Sequence, residues 1–452
     1  MVPESPKTPR SPDNPASAGI AESAANPASA GIPASASSAG SAGSPDRAGS
    51  ADRATSGAER GDRLAGTASP ANLENAAEHR RLRRVVFLMN DMHRPNGIVS
   101  ATDLLAAEMR ARGLAVDIWC FGACDPELRE RHHVIDVVPG RRLTTKMPGF
   151  ANSKAALKPI RHLITLGWWP WTSARLRRLA SRWEEGTLVI GAGLESVRLL
   201  DQAGVRPAHL VSQVHTDVPA LTTVQRALVR GAATVSAAVT ALTPQGADEL
   251  RSWGINAVPM TNPCPDFAGA ADPERSRTVV FLGRLSEGKQ ADHLIRAFGA
   301  VSRPGWRLRI YGSGPQEGRL LELAARTGGD IELCGSVDDV GPVLAGAAIH
   351  ALPSRFEGLG MCILEANTAG VPSVVYDCSP GVRLAGGPAA SLVPNGDVDA
   401  FAAALSALMD DDAARADAGR RAREYGRRFS APAIVDRWLE LWDQLAARPE
   451  AR

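Results

Sequence analysis

The sequence predicts an α/β chain made of two doubly wound, Rossmann-like domains that face each other, preceded by a disordered tail. Three observations carry this reading. Short apolar runs alternate with amphipathic stretches in the order strand, loop, helix, glycine, strand, which is the βαβ unit. That series runs once from about residue 84 and restarts near Pro265. Residues 1–80 are mostly Ala, Ser, Pro and Gly, and lack the large apolar residues that would offset the entropy of ordering.

In the tail, "NPASAGI" occurs at Asn14–Ile20 and again at Asn26–Ile32. Two short copies without a hydrophobic face cannot stack as structural repeats. Order begins at Val85–Met89, an apolar run of the buried parallel-strand type. Leu104, Leu105 and Met109 then follow at helical spacing, Gly113 stops the helix, and "LAVDIWCFG" is the next strand. "TLVIGAG", "HLVSQVH", "TVSAAVTAL" and "INAVPMTNP" continue the first series. The second consists of "RTVVFLGRLSEGKQADHLIRAFGAV", "WRLRIYGSGP", "IELCGSV", "AIHALPS" and "PSVVYDC". A last amphipathic helix spaces Ile434, Trp438, Leu439 and Trp442 along one side. The expected domains are therefore a tail at 1–80, a first domain at 81–267, a second at 268–430 and a closing segment at 431–452.

Composition narrows the function class. Hydrophobic residues make up 44% and charged residues 22%, as in a soluble globular enzyme. The formal net charge is +2, which gives no whole-chain electrostatic case for nucleic acid. The six cysteines form no CxxC pair and read as reduced, mostly buried thiols, not a zinc site. No apolar run reaches the roughly 18 residues of a spanning helix. "MVPESPKTPR" lacks the apolar stretch of a secretory signal, so the expected location is the cytoplasm.

Loops at the carboxyl ends of parallel strands face the ligand crevice. "FLGRLSEGKQ" places Arg284 and Lys289 there, and two cations suit a diphosphate; alone they also read as ordinary surface charges. "IYGSGP" puts Gly312 after the next strand, where a glycine lets a ligand approach the backbone. It is not GxGxxG, the fingerprint of a nicotinamide site, because Gln316 and Glu317 follow the proline. In "LPSRFEGLGMCILEANTAG", Glu357 falls in a loop and Glu365 in the helix behind it. The start of that helix, around Leu359, Gly360 and Met361, offers N–H groups and the positive dipole end to an anion. Carboxylates beside such an anion accept hydrogen bonds from sugar hydroxyls. The arrangement suits a ligand with a phosphate between two polyol ends, although an arbitrary pair of glutamates would be surface solvation.

The order "GRL…K", "GSGP", "G-x-V" and "E-x7-E-A-x-x-x-G-x-P" resembles retaining GT-B glycosyltransferases, specifically glycosyltransferase family 4. The likeness covers roughly residues 84–447 and is densest over 279–400. It implies a nucleotide-sugar donor in the second domain, an acceptor mainly in the first, and a C-terminal helix that crosses back. It implies that Arg284 and Lys289 bind the donor diphosphate and that Glu357 holds the sugar with the backbone of Leu359, Gly360 and Met361. Glu365 would bind the ribose, and Val337 would lie near the base. Asn96 and Gly97 would match the first-domain loop that approaches phosphate and acceptor, with Asn96 departing from the usual glycine pair. His215 in "SQVHTDV" would match the histidine near the reacting centre, against the alternative of a core histidine. The catalytic set is then His215, Glu357, Arg284 and Lys289.

The resemblance implies same-face attack with the diphosphate taking the acceptor proton, no metal and no cofactor beyond the NDP-sugar co-substrate. Asp397 and Asp399 in "GDVDA" read as a helix cap, and Asp410–Asp412 as a helix-end loop. Between Val137 and Trp183 there is no Asp or Glu, ten Lys or Arg are present, and Trp168, Trp169, Trp171 and Trp183 are interleaved. This suits peripheral contact of 141–183 with an anionic membrane, at the inner face of the plasma membrane, or a phosphate-rich acceptor. The other reading is a solvated helix with inward tryptophans. The expected acceptor is a cell-envelope glycan, polymer or lipid-linked sugar, with UDP- or GDP-sugar as donor. The alternatives are a nucleotide-sugar epimerase of the same fold and a non-catalytic glycan-binding protein.

Overall fold

The computed structural model describes residues 81–93, 97–137, 158–267, 271–272 and 276–447, without the side chains of 158–168. The tail, Asn96 and the cations Arg141, Arg142, Lys146 and Lys154 lie outside the described residues.

The first sheet has seven parallel strands: β1 (Arg84–Met89), β2 (Ala115–Cys120), β3 (His133–Asp136), β4 (Thr187–Gly191), β5 (Leu210–Val214), β6 (Ala238–Ala241) and β7 (Ala257–Pro259). Their order is β3-β2-β1-β4-β5-β6-β7. β1 carries Val86 opposite Asp117 on one side and Val189 on the other, and every residue after Arg84 is buried. A strand covered on both faces needs such an unbroken apolar run.

The second sheet has six parallel strands: β8 (Thr278–Leu282), β9 (Arg307–Tyr311), β10 (Asp330–Gly335), β11 (Ile349–Leu352), β12 (Ser373–Tyr376) and β13 (Ser391–Val393). Their order is β10-β9-β8-β11-β12-β13. In each sheet the winding reverses beside the first strand, between β1 and β4 and between β8 and β11. Crevices open at the carboxyl ends of strands at such reversals.

The chain crosses between the sheets twice, side by side. Cys264, on the way out, donates its N–H to the carbonyl of Phe429, on the way back, at 2.7 Å. The returning helix, Ala431–Ala446, starts with Ser430 as its cap and buries Ile434, Val435, Trp438, Leu441, Trp442 and Leu445. These side chains share one apolar cluster with Val85, Phe87 and Ile118 of the first sheet. Arg437 fixes the helix to that sheet by donating to the Pro259 carbonyl at 2.8 Å, and Arg112 ion-pairs with Asp436.

Two local expectations change. Asp410 ends one helix, and Asp411 caps the next by accepting the Ala414 N–H at 2.8 Å, so the acidic run is a helix junction, not an open loop. In the basic segment, a helix spans Lys158–Ala180 with Pro170 inside it. Trp169 and Trp183 pack against the core, and Trp183 lies 4.8 Å from Trp119 between ring centroids. Trp171, 47% exposed, stays outside beneath the Arg175 guanidinium. Among the described residues no helix is long and apolar enough to cross a membrane. Asp397 caps its helix as expected from sequence, accepting the Ala400 N–H at 2.9 Å.

Candidate functional site

The reversal in the second sheet brings together the loops after β8 and β11. After β8 the chain makes a tight turn, Glu287–Lys289, then enters the Ala291–Val301 helix through Gln290. Gln290 has φ +47°, the one non-glycine with positive φ among the described residues. Such a conformation costs of order 1–3 kcal/mol, so the surroundings must over-determine it. One determinant is the neighbouring loop: the Arg355 N–H donates to the Gly288 carbonyl at 2.8 Å.

That backbone bond sets Lys289 against Glu357, with Nζ 2.5 Å from Oε1. Burial works against the ammonium, but the Glu357 carboxylate outweighs it and raises the Lys289 pKa. Sequence reasoning gives Lys289 to phosphate and Glu357 to sugar, as separate groups; the fold makes them one ion pair. Arg284 is exposed on the same loop. Beneath lies His350 of β11, fully buried, its Nδ1 3.0 Å from Ser373 Oγ. Burial, and then the Lys289 charge, lower its pKa to about 3.

The glycines of this region serve chain packing. A Cβ on Gly312 would come 1.8 Å from the Gly283 carbonyl, and one on Gly314 2.3 Å from that of Leu285. The close approach of two loops by itself demands glycine at 312. Likewise a Cβ on Gly381 would lie 1.9 Å from the Gly358 carbonyl, so the Pro380–Gly386 helix buttresses the Glu357 loop directly. Ser336 Oγ donates to Ser313 Oγ at 2.9 Å, drawing the half-buried Val337 loop alongside.

The Met361–Ala369 helix starts at Gly360, with φ +78°, and ends at Gly370. Leu359 and Gly360 are buried; Met361 and Glu365 are half-buried. Burial raises the Glu365 pKa to about 7 and that of Cys362 to about 12. A carboxyl with a raised folded pKa loses stability as pH climbs from its unfolded value toward the folded one, because only the unfolded chain ionises freely there. For Glu365 that window runs from about 4.5 to about 7, and the penalty is on the order of 3 kcal/mol above it. Glu365→Gln is therefore expected to raise the thermal midpoint at pH 8 and to leave it nearly unchanged at pH 4.5. Parallel melts at the two pH values check this; an equal shift at both would contradict the buried-carboxyl account.

The first domain reaches this helix start. Gly97 opens the Gly97–Ala111 helix, and a Cβ there would lie 3.3 Å from Met361 Cγ. Two helix N-termini thus converge on one place, a setting that favours an anion. Just past β5, the His215 carbonyl sits where a Cβ on Gly358 would come within 2.9 Å. The imidazole is buried, and neither ring nitrogen has a full hydrogen bond. Burial, partly offset by nearby Asn262, lowers its pKa to about 4, so it is neutral at physiological pH. Asn262 also reaches across to Met361, with Nδ2 3.8 Å from Sδ.

The structure thus assembles Lys289, Glu357, Met361, Gly97 and His215 around one crevice, with Arg284 on the same loop as Lys289. Gly312 and Val337 lie on the neighbouring loops, and Glu365 one turn into the helix. Asn262, His350 and Gly381 were not singled out from sequence. Asn262 sits in a proline-rich linker where nothing local marks a site, and Gly381 in "VVYDCSPGVR", a stretch whose likeness to enzymes acting on exopolysaccharide and teichoic-acid-like polymers does not reveal its packing role.

Residues 276–411 match the family model "Glycosyl transferases group 1". An exopolysaccharide phosphotransferase of Streptomyces coelicolor is 40% identical over 179 residues, 38% of this chain and 19% of that protein. A phosphatidyl-myo-inositol mannosyltransferase of Mycolicibacterium smegmatis is 30% identical over 212 residues, 44% of this chain and 54% of that one. The chain thus spans from about a fifth to about half of the length of these curated relatives. Among solved structures, Anabaena HepE in complex with UDP superposes with a TM-score of 0.63 at 17% identity, over 80% of this chain and 100% of that one. TarM superposes with a TM-score of 0.64 at 12% identity, over 80% and 98%. These likenesses establish the GT-B fold, two Rossmann-like domains with parallel sheets.

Proposed function

We propose that this chain is a glycosyltransferase that moves a sugar from a UDP- or GDP-sugar to a cell-envelope glycan, polymer or lipid-linked acceptor, with retention of configuration. The observation that carries the reading is the Lys289–Glu357 pair at the meeting point of two helix N-termini, opposite a neutral buried histidine. The names of the two relatives, which concern exopolysaccharide and phosphatidylinositol, support an envelope acceptor.

The chemistry follows from charge. Breaking the anomeric C–O bond leaves negative charge on the diphosphate. Lys289, Arg284 and the Met361 helix start are set to stabilise it. A diphosphate that takes the Lys289 ammonium releases the Glu357 carboxylate to sugar hydroxyls. One binding event thus prepares both groups. Neutral His215 can accept a hydrogen bond or donate one, without acting as a strong acid. The acceptor hydroxyl attacks from the face that the diphosphate leaves, and its proton passes to the diphosphate. Glu365, eight residues beyond Glu357, would hold the ribose, and the backbone of Leu359, Gly360 and Met361 the phosphates and sugar.

A panel of UDP-, GDP- and ADP-sugars, with release of nucleoside diphosphate as readout, tests this. One UDP- or GDP-sugar is expected to turn over, with rates unchanged in excess EDTA because the cations are supplied by the protein. Conversion of donor without acceptor would favour an epimerase, and binding without turnover a non-catalytic protein.

We also propose that the basic helix contacts anionic membrane through exposed Trp171 and its neighbouring arginines. Sedimentation with anionic but not neutral liposomes at low salt is the expected result. Equal sedimentation with both would refute the contact.

A further inference from the structure

The loops and helix starts that leave the carboxyl ends of β1, β2, β4 and β5 carry several carboxylates, and most are accounted for. Asp125 pairs with His93 at 2.7 Å, Glu195 accepts from Asn90 Nδ2 at 2.6 Å, and Asp91 is exposed to water. Asp217, just past β5, differs from all of these. It is half-buried, and its side chain has neither a hydrogen bond nor an ion pair with any described residue. Burial raises its pKa, and no described cation offsets the effect. A carboxylate drawn partly out of water without a partner is costly, so it calls for an explanation.

The place of Asp217 in the fold supplies one. Behind it, Val218 is 1% exposed and packs against the start of the Pro244–Ser252 helix, where a Cβ on Gly246 would meet Val218 Cγ2 at 3.3 Å. The Ala220 N–H donates to the Asp217 carbonyl at 3.1 Å, which closes a tight turn and fixes the backbone. In front of it, a Cβ on Gly358 would lie 2.9 Å from the His215 carbonyl and 3.7 Å from Thr216 Cα. The two loops therefore touch across the crevice. Asp217 stands one residue from that contact on the first domain, and Glu357 one residue from it on the second. An ionised carboxylate accepts hydrogen bonds and donates none, and it disfavours a second anion beside it. Asp217 thus suits a hydroxyl and not a phosphate. Glu357 is already assigned to the donor sugar, which leaves Asp217 to the other reactant. We propose that Asp217 sets acceptor specificity: it accepts a hydrogen bond from a hydroxyl adjacent to the attacking one, so the acceptor presents vicinal hydroxyls here and carries any phosphate elsewhere. This rests on the transfer reaction proposed above and names part of its acceptor. Asp217 takes no proton; the proton of the attacking hydroxyl still passes to the diphosphate.

Competition between a vicinal polyol and a single alcohol tests it. The full chain is given its UDP- or GDP-sugar with glycerol and ethanol at equal concentration, and the glyceryl and ethyl glycosides are measured by mass spectrometry. The wild type is expected to favour glycerol about tenfold per hydroxyl, the effect of one hydrogen bond to a charged acceptor. Asp217→Ala is expected to bring the two alcohols close to parity, and Asp217→Asn, which keeps an acceptor oxygen, to give an intermediate ratio. The ratio is internal to each reaction, so a general loss of activity or of folded protein cancels. An unchanged ratio in Asp217→Ala, or no preference in the wild type, would overturn the proposal and leave the transfer reaction standing. Release of nucleoside diphosphate with neither glycoside formed would also overturn the proposal. No release from any donor would overturn the transfer reaction itself.

Discussion

Glu357→Ala is expected to lower kcat/KM for sugar transfer by about 10³-fold while the protein stays folded, the range seen when a preorganised polar group at a reacting centre is removed. Two losses combine. The donor sugar loses its carboxylate acceptor, and Lys289, half-buried and held 2.5 Å from that carboxylate, loses its counter-charge. A half-buried ammonium without a partner settles differently or draws in an anion, so its diphosphate contact changes as well. Glu357→Gln separates the effects: it keeps an acceptor oxygen but not the charge, and is expected to fall between wild type and the alanine variant. A cycle with Lys289→Met then measures whether the pair acts as a unit. Strong non-additivity is expected, since groups in direct contact rarely contribute independently. Full activity in Glu357→Ala would refute the assigned role, and additive losses would refute the shared one.

Trp438→Ala is expected to destabilise the first domain by about 3–5 kcal/mol, the usual range for a buried large aromatic cut to alanine. Trp438 is fully buried between the returning helix and the first sheet, in the same cluster as Val85, Phe87 and Ile118. Its ring nitrogen has no partner. Trp438→Phe therefore removes an unsatisfied donor together with some volume, and is expected to cost much less than alanine. Urea unfolding followed by probes placed in each domain reads this out. The first-domain transition is expected to move to lower denaturant, and the second-domain transition to move little. A shift of the second domain alone would contradict the packing.

Buried parallel strands announce themselves, and so the doubly wound architecture was legible. "VVFLM", "LVIG" and "VVFL" are apolar without interruption because both of their faces are covered. β3, "HVID", and β13, "SLV", escaped notice: each is short, stands at a sheet edge and is only partly buried. The site was legible as components. Lys289, Glu357 and Glu365 stood out by type and spacing, whereas the 2.5 Å pairing of two residues 68 positions apart is created by the reversal between β8 and β11. His215 was visible as a histidine, but its burial was not. Thr216 and Asp217 follow it directly, and its cover includes the Gly358 loop of the other domain. Gly312 was read as room for a ligand because sequence shows only that a side chain is missing. Which atom fills the space is a tertiary fact, and here it is the Gly283 carbonyl.

The returning helix has a consequence for how the molecule comes into being. The first sheet is made early in synthesis, yet part of its apolar face is covered only by residues 431–446, which are made after the entire second sheet. Until then Val85, Phe87 and Ile118 lack the side chains that finish their packing. The early half of the chain thus waits, sticky and incomplete, through the synthesis of the other half. Contacts that span so much sequence also slow folding. Docking of the last helix closes one domain and ties it to the other in the same step.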